Sequence, residues 1–310
     1  MRALIIGGSG FVGRNLATHL SIRGQEVAVL DRVPDATGSY QGAFFEGEAQ
    51  NPVVIESALN AWQPNTVYHL AANSDISAGI ADASLDFGDT LMTTIAITQA
   101  LEVHPVSQLV FASSSAIFGN VEGPIAETLE QYFLPESWYG KAKLASEYVL
   151  EAFSTRNDQT GVLITRFPNV VGPLATHGVV FDFVRKLRKD PNRLQVLGNG
   201  FQDKPYVHVS DLIEGIEFFR ERLVPGTVRR INLGPTDTVN VREIARIVSE
   251  ILMVNPKILY ETQATGWVGD IPRYEFDVSR MHENGFAIRD SSSAAIRRAA
   301  IDLALEIPAP

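Results

Sequence analysis

A glycine-rich turn between the first apolar run and the first helical pattern sets strong conditions on the fold. The run "RALIIG" is typical of a buried strand, and "FVGRNLATHL" after it has helical spacing. Such glycines allow a turn of positive φ, close approach of the backbone to an anion, and tight packing of helix on strand. The helix N-terminus offers free N–H groups to a phosphate. The candidate phosphate-binding residues are Gly7, Gly10, Phe11, Val12 and Gly13.

Apolar runs then alternate with helical patterns through the first half of the chain. Strands are predicted at 2–7, 26–31, 66–72, 108–114 and 161–167, and helices near 11–23, 52–62, 82–103 and 137–156. The runs show little polar alternation, as is typical of parallel strands that are covered on both faces. With right-handed crossovers, this order predicts an α/β fold with a doubly wound parallel Rossmann sheet.

An acidic residue ends the second predicted strand. Asp31 lies 18 residues after Gly13, where a carboxylate accepts hydrogen bonds from the adenosine ribose and repels a 2′-phosphate. The neighbouring Arg32 is a second candidate contact at this end of the cofactor. Asp31 favours NAD over NADP, and the cationic Arg32 slightly weakens that preference.

The alternation stops after Phe167, where prolines separate shorter pieces. We predict an NAD-binding domain from residues 1–167 and about 204–235. A smaller α+β substrate-binding lobe is predicted from about 168–203 and 236–310.

Charge and residue content exclude several classes of protein. A net charge of −10 repels nucleic acid, and the apolar runs are shorter than the ~20 residues that cross a bilayer. The chain has no cysteine, and its six histidines lack ligand-like spacing. We therefore expect a cytoplasmic protein without a metal site and without a nucleic-acid or membrane partner.

A tyrosine and a lysine are four residues apart in "SWYGKAKLASEY". On a helix, this spacing places Tyr139 and Lys143 on one face, where an ammonium lowers the pKa of a phenol. The preceding strand ends in the serine-rich segment "FASSSAIFG". Because strand C-termini line the ligand crevice of a parallel sheet, one of these serines can meet the tyrosine. The cluster predicts a tuned proton acceptor beside the cofactor.

In this order of motifs, the chain resembles the extended short-chain dehydrogenase/reductase family, and within it the NAD-dependent nucleotide-sugar epimerases and dehydratases. The segments that carry the resemblance are "GGSGFVG", "VYHLAA", "FASSSAIFG", "WYGKAKLASE", "RFPNVVGP", "DKPYVHVSDL", "INLG" and "GWVGDIP". It implies that Tyr139 is the catalytic base and that Lys143 binds the nicotinamide ribose and lowers the tyrosine pKa. The family's catalytic Ser/Thr lies five residues before a glycine, and counting back from Gly119 selects Ser114.

The resemblance also implies the remaining contacts. Further cofactor contacts fall on Ala71, Ala72 and Pro168, and substrate contacts on Ser114, Ser115, Asn169, Lys204 and Arg273. A family motif that supplies a diphosphate-binding arginine reads Trp267-Val268-Gly269-Asp270 here, so Arg273 is the substitute candidate.

The implied activity is NAD-dependent epimerisation, at C4, of a nucleoside-diphosphate hexose through a transient 4-keto sugar, with a UDP-sugar as the favoured substrate. A 4,6-dehydratase and a ketosugar reductase stay open. The dehydratase is less favoured because Ser115 and Ala116 stand where such enzymes carry Asp-Glu. A non-catalytic NAD-binding sensor or scaffold is the alternative of another class. The family also implies a homodimer, through a four-helix bundle of the helices near 82–103 and 139–156.

Overall fold

The computed structural model describes residues 1–35, 37–38, 40, 42–73, 76–121, 123–128, 135–263 and 271–308. The chain forms two units. The first unit comprises Met1–Ile117, Leu134–Arg166 and Ile216–Ile231. The second comprises Phe118–Phe133, Phe167–Gly215 and Asn232–Pro310.

Strands and helices alternate in the first half of the chain, as the sequence predicts. The strands are β1 Arg2–Ile6, β2 Glu26–Asp31, β3 Ala43–Glu46, β4 Thr66–His69, β5 Gln108–Ala112, β6 Pro124–Ile125, β7 Gly161–Arg166, β8 Asn169–Val171, β9 Arg193–Val196, β10 Asp203–Lys204, β11 Tyr206–His208, β12 Val228–Asn232, β13 Val239–Asn240, β14 Lys257–Tyr260 and β15 Glu275–Phe276.

The helices are α1 Phe11–Ile22, α2 Pro52–Trp62, α3 Ile76–Ala81, α4 Ala83–Asp86, α5 Thr93–Val103, α6 Trp138–Ser154, α7 Val179–Lys189, α8 Val209–Arg220, α9 Val241–Ile251, α10 Ser279–Glu283 and α11 Ser292–Glu306. A π-helical turn, Phe87–Met92, joins α4 to α5, and a 3₁₀ turn, Ser115–Ile117, follows β5. The helix predicted over 82–103 is therefore broken into α4, the π-helical turn and α5. None of the described helices has the length and apolar character of a membrane span.

A seven-stranded sheet forms the centre of the first unit, in the order β3-β2-β1-β4-β5-β7-β12. The pairs from β3 to β7 are parallel. The strand order reverses between β1 and β4, so the ligand crevice of a doubly wound sheet lies at the C-terminal ends of these two strands. The predicted Rossmann sheet is confirmed. Sequence reasoning missed the edge strand β3, which is short and only partly buried.

Helices cover the strands through a continuous apolar core. Residues 3–6 of β1 are fully buried, as a strand packed on both faces requires. Side chains from α2, α5 and α6 pack with the strands in one cluster, among them Ile55, Ile97, Leu101, Leu150 and Phe153. This packing fixes α6, which carries Tyr139 and Lys143.

Four short strand pairs and several helices build the second unit. β8 pairs with β11, β9 with β14 and β6 with β15 in parallel, and β10 pairs with β13 in antiparallel orientation. Helices α7, α9 and α11 share a core that includes Phe183, Leu187, Ile244, Val248 and Ile296.

The predicted boundaries differ from the observed units at two segments. Residues 118–133 belong to the second unit because β6 pairs with β15 and the Asn232 side chain donates to the Ile125 carbonyl at 2.8 Å. Residues 204–215 belong there too, since β11 pairs with β8. Neither segment carries an apolar run long enough to reveal these pairings. The assignment of a ligand to each unit stays a prediction.

Candidate functional site

The glycine turn after β1 is shaped by close backbone contacts. Gly7 has a φ of +85°, and a β-carbon there would lie 2.5 Å from the Ala71 nitrogen. A β-carbon on Gly13 would lie 2.5 Å from the Gly7 carbonyl oxygen. Both contacts require glycine, because real β-carbons do not approach other atoms so closely. They draw the start of α1 against the end of β1.

The face of this turn around Gly10 is open. Gly10 is exposed, and a β-carbon added there would meet only the Gly7 carbonyl oxygen, at 3.4 Å. Helix α1 begins at the next residue, Phe11, followed by Val12, and Gly10 offers no side-chain cap to its first N–H groups. These N–H groups and the open space fit the pyrophosphate of a dinucleotide.

Asp31 and Arg32 lie at the C-terminal end of β2. The Asp31 carboxylate accepts from the Ser9 nitrogen at 2.9 Å and from the Arg32 nitrogen at 2.7 Å, which ties it to the glycine turn. The Arg32 guanidinium instead forms ion pairs with Asp89 at 2.6 Å and Glu48 at 3.4 Å. An arginine held by two carboxylates is a poor partner for a 2′-phosphate, so the geometry fits NAD.

Asp31→Asn is expected to raise the affinity for NADP relative to NAD by about tenfold, since it removes a charge that repels the 2′-phosphate. The amide oxygen can still accept from the Ser9 nitrogen, so the turn is retained. Dissociation constants for the two nucleotides, measured by calorimetry, test this. Glu26→Gln, at the exposed opposite end of β2, is the control and should leave the ratio of the NADP and NAD dissociation constants unchanged. An unchanged ratio in Asp31→Asn would contradict this role.

Ala71 and Ala72 follow β4 on the other side of the strand-order reversal. The Ala71 nitrogen donates to the Ile6 carbonyl at 2.9 Å, which holds this segment beside Gly7. Both alanines are half-buried. The structure thus brings the predicted cofactor residues Gly7, Gly10, Gly13, Asp31 and Ala71 to one end of the sheet.

Helix α6 brings Tyr139 to the end of β5. Ser137 caps the helix by accepting from the Gly140 nitrogen at 3.1 Å. A β-carbon on Gly140 would lie 2.4 Å from the Ala116 carbonyl oxygen, so glycine permits the close approach of α6 to the serine segment. Tyr139 is thereby hydrogen-bonded to the Ser114 side chain.

The three consecutive serines have different surroundings. The Ser114 hydroxyl accepts from the Ala116 nitrogen at 3.2 Å and contacts Tyr139. Ser113 is buried and donates to the Glu147 carboxylate. Ser115 opens the 3₁₀ turn and is half-buried. Ser114 is therefore the serine that meets the tyrosine.

Lys143 lies behind this pair and is only 2% exposed. Its Nζ donates to the Ala112 carbonyl at 2.6 Å and lies 5.7 Å from the centre of the Tyr139 ring. Burial lowers the pKa of Lys143 to about 7, and the charge of Glu147 acts in the opposite direction.

The pKa of Tyr139 departs from the direction that the Tyr–Lys spacing predicts. Burial raises it to about 12, because a phenolate loses hydration in the interior; the hydrogen bond to Ser114 lowers it, and the Asp86 charge raises it further. The expectation that Lys143 sets a depressed value is therefore wrong for these surroundings. Desolvation shifts this pKa more than the neighbouring lysine does. The Tyr–Lys spacing could not predict this, because it carries no information on burial.

A buried ion-pair network, which sequence reasoning missed, supports the cluster. The Glu147 carboxylate accepts from Arg166 Nε at 3.0 Å and Nη2 at 2.6 Å, and both side chains are at most 3% exposed. Arg230 approaches the same carboxylate at 3.8 Å. Since Glu147 also binds Ser113, the network joins α6 to the serine segment and to β7. The only sequence signal was the position of Glu147, four residues after Lys143.

The predicted substrate residues outside this cluster lie in the second unit. The Asn169 side chain donates to the Tyr274 hydroxyl at 3.5 Å, and Lys204 is in β10 opposite Val239. Arg273 is largely exposed and pairs with Glu275 at 3.1 Å and Asp203 at 4.0 Å. These two carboxylates compete with any diphosphate for this arginine.

Pro168, the last predicted cofactor contact, is also in the second unit, where a β-carbon on Gly234 would lie 3.2 Å from its ring. The Trp267-Val268-Gly269-Asp270 motif lies outside the described residues.

Among the residues that are described, no group of three or more His, Asp or Glu could hold a metal ion.

Comparison with known proteins agrees with this geometry. The model of the NAD dependent epimerase/dehydratase family matches residues 3–234. The chain is 27% identical over 298 residues to the UDP-N-acetyl-alpha-D-glucosaminuronate decarboxylase of Bacillus cytotoxicus, with 91% of each chain covered.

Two solved structures extend the likeness to the whole chain. A UDP-galactose 4-epimerase has a TM-score of 0.85 at 30% identity, covering 99% of this chain and 100% of that one. The UDP-glucose 4-epimerase of Thermus thermophilus, solved with NAD, has a TM-score of 0.85 at 28% identity, covering 98% and 99%. The match of the family model over most of the chain, together with the glycine turn and Asp31, makes this protein a member of the NAD-dependent epimerase/dehydratase family, whose cofactor is NAD.

Proposed function

We propose that the protein catalyses the NAD-dependent epimerisation, at C4, of a nucleoside-diphosphate hexose, with a UDP-sugar as substrate. The observation that carries the proposal is the contact of Tyr139 with Ser114 in front of the buried Lys143. The similarity to a UDP-galactose 4-epimerase and a UDP-glucose 4-epimerase supports it.

In this mechanism Tyr139 acts as the phenolate and takes the proton of the sugar 4-hydroxyl, and Ser114 holds the same oxygen by a hydrogen bond. The glycine turn and Asp31 would hold NAD, which would supply the hydride acceptor for C4 and the later return of the hydride. The 4-keto sugar must present its opposite face before that return, and Tyr139 then gives the proton back to the oxygen. The reaction inverts C4 and causes no net oxidation or reduction of the sugar. Because burial raises the pKa of Tyr139 to about 12, the phenolate needs a positive charge close by, and the protonated form of Lys143 supplies one.

Elimination of water, as in a 4,6-dehydratase, needs a further acid/base pair near C5 and C6. The positions after Ser114 are Ser115 and Ala116, which offer no carboxylate. The Asp-Glu pair that the family resemblance implies for a dehydratase is thus missing at these two positions, and this favours epimerisation over dehydration.

A substrate panel tests the proposal. The purified protein with NAD is incubated with UDP-, GDP-, CDP- and dTDP-hexoses without reductant, and the products are followed by NMR. A C4-inverted hexose is the expected product. A 4-keto-6-deoxy sugar would instead indicate a dehydratase. Conversion that occurs only when a reductant is supplied would indicate a ketosugar reductase, and no conversion a non-catalytic NAD-binding protein.

We also propose a cytoplasmic homodimer, built from the helices at 83–103 and α6 as a four-helix bundle. Exposed apolar side chains on these helices support it, with Leu85 at 40%, Met92 at 47% and Val103 at 63% exposure. Light scattering should give twice the chain mass, and Met92→Glu should shift the protein to a monomer. Met253→Glu, an exposed change in the second unit, is the control. A monomeric wild-type protein would refute the dimer.

The proposed cytoplasmic location is tested by cell fractionation.

A further inference from the structure

A buried carboxylate that the proposed mechanism does not use lies beside Tyr139. Asp86 ends α4 and is 1% exposed. The residue after it, Phe87, contacts Trp138, the residue before Tyr139, with ring centres 5.9 Å apart. Asp86 and Phe87 thus lie near Trp138 and Tyr139 at the start of α6. The Asp86 charge acts on the Tyr139 phenol, whose pKa it raises.

The two carboxylate oxygens of Asp86 have different surroundings. Burial raises the pKa of Asp86, and the hydrogen bond that Oδ1 accepts from the Asn73 amide, at 3.0 Å, acts in the opposite direction. Oδ2 is buried and has no hydrogen-bond partner among the residues that the structure describes. A β-carbon on Gly79 would lie 2.0 Å from Oδ2, so the missing side chain of Gly79 makes room for the carboxylate.

The backbone at this point is unusual as well. Asp86 directly precedes the π-helical turn, a form that is rare in helices and frequent at functional sites. A second acidic group nearby, Asp89, is bound to Arg32 at 2.6 Å and to Gln50 at 2.7 Å. Within the part of the chain that the structure describes, Asp86 forms no ion pair, and its hydrogen bond comes from the neutral Asn73. A buried anion without a cationic partner is costly, and it is a feature that active sites retain for function.

We propose that Asp86 is a specificity-determining residue, which makes the protein select neutral hexoses over hexuronates. The inference rests on the proposed function. Tyr139 must contact the 4-hydroxyl, and a hexuronate carries its own carboxylate on C5, the next carbon of the ring. Binding a hexuronate therefore places a second anion in the same buried site as Asp86. Like charges in such a site repel each other strongly, and this repulsion discriminates against the charged sugar.

Hexuronates are substrates of some proteins that are similar to this chain. The relative from Bacillus cytotoxicus is a decarboxylase of a UDP-linked hexuronate, whereas the two structural neighbours are epimerases named for UDP-galactose and UDP-glucose. Asp86 would assign this chain to the second group.

Asp86→Asn tests the proposal, because it removes the charge and keeps both the shape and an oxygen that accepts from Asn73. The ratio of kcat/KM for UDP-glucose to that for UDP-glucuronate is measured on the holoenzyme. We expect the ratio to fall by about tenfold or more in Asp86→Asn. Asp82→Asn is the matched control, since Asp82 is an exposed N-cap four residues earlier and asparagine also caps helices. Its ratio should equal that of the wild type.

Two further measurements keep the inference separate from the proposed function. Dissociation constants of the NAD-loaded protein for the two sugars give the same discrimination without turnover, so an inactive protein still tests Asp86. The uncharged UDP-glucuronamide, tested on the wild type, separates charge from size and needs no variant. We expect it to bind nearly as well as UDP-glucose. Exclusion of the amide as strong as that of the acid, a wild-type preference for the hexuronate, or an unchanged ratio in Asp86→Asn would overturn the proposal. Failure of all sugars to react, with discrimination intact, would overturn only the epimerase assignment.

Discussion

Tyr139→Phe is expected to lower kcat by about a thousandfold while the protein keeps its fold and its NAD. The change removes one oxygen, and with it the group that takes and returns the proton of the sugar hydroxyl; such proton transfer contributes about 10²- to 10⁴-fold to catalysis. The ring itself remains, so the packing of α6 on the serine segment is preserved. Turnover of UDP-glucose, followed by NMR, and NAD content, measured after unfolding, give the two readouts.

The same helix provides the control for this experiment. Tyr148 lies in α6 and is 55% exposed, so Tyr148→Phe removes an identical hydroxyl from a solvated position. Its activity should match that of the wild type. Wild-type turnover in Tyr139→Phe would remove Tyr139 as the base. Loss of both NAD and activity would instead assign it a role in binding.

Glu147→Ala is expected to lower the free energy of unfolding by about 3–5 kcal/mol, which is typical when one partner of a buried ion pair is removed. Arg166 is 1% exposed and would lose these two hydrogen bonds to the Glu147 carboxylate, so the guanidinium would stay buried without this carboxylate beside it. Ser113 would lose its acceptor at the same time. Denaturant unfolding, monitored by circular dichroism, measures the loss.

Glu151→Ala is the matched change one helical turn later. Glu151 pairs with Arg230 but is 38% exposed, so water screens the interaction and the loss should stay below about 1 kcal/mol. The double variant Glu147→Leu with Arg166→Met removes both charges and should recover much of the stability lost in Glu147→Ala. Equal losses from Glu147→Ala and Glu151→Ala would contradict a buried role for the network.

The residues that sequence reasoning identified share a property. Gly7, Gly13 and Asp31 belong to a local pattern, in which the spacing along the chain already defines the turn and the strand end. The apolar runs likewise predicted the strands of the central sheet, because a strand buried on both faces has few polar residues wherever it lies in the sheet. The edge strand β3 lacks that property and was missed.

The residues that were missed depend on contacts between distant segments. Glu147 meets Arg166 and Ser113 only after β7, β5 and α6 have packed together. Asp86 becomes significant only because Gly79 and Asn73 surround it and α6 faces it. No spacing in the chain records these approaches.

By itself, the sequence determined the doubly wound sheet, the glycine turn and the choice of NAD, because each follows from short-range spacing and from the pattern of apolar residues. The tertiary structure alone decided the direction in which the pKa values of the site are shifted. Spacing predicted a tyrosine of lowered pKa beside a charged lysine, whereas burial raises the pKa of Tyr139 to about 12 and lowers that of Lys143 to about 7. The reason is physical: desolvation and the nearby buried carboxylates act through space, and their strength depends on how the folded chain excludes water.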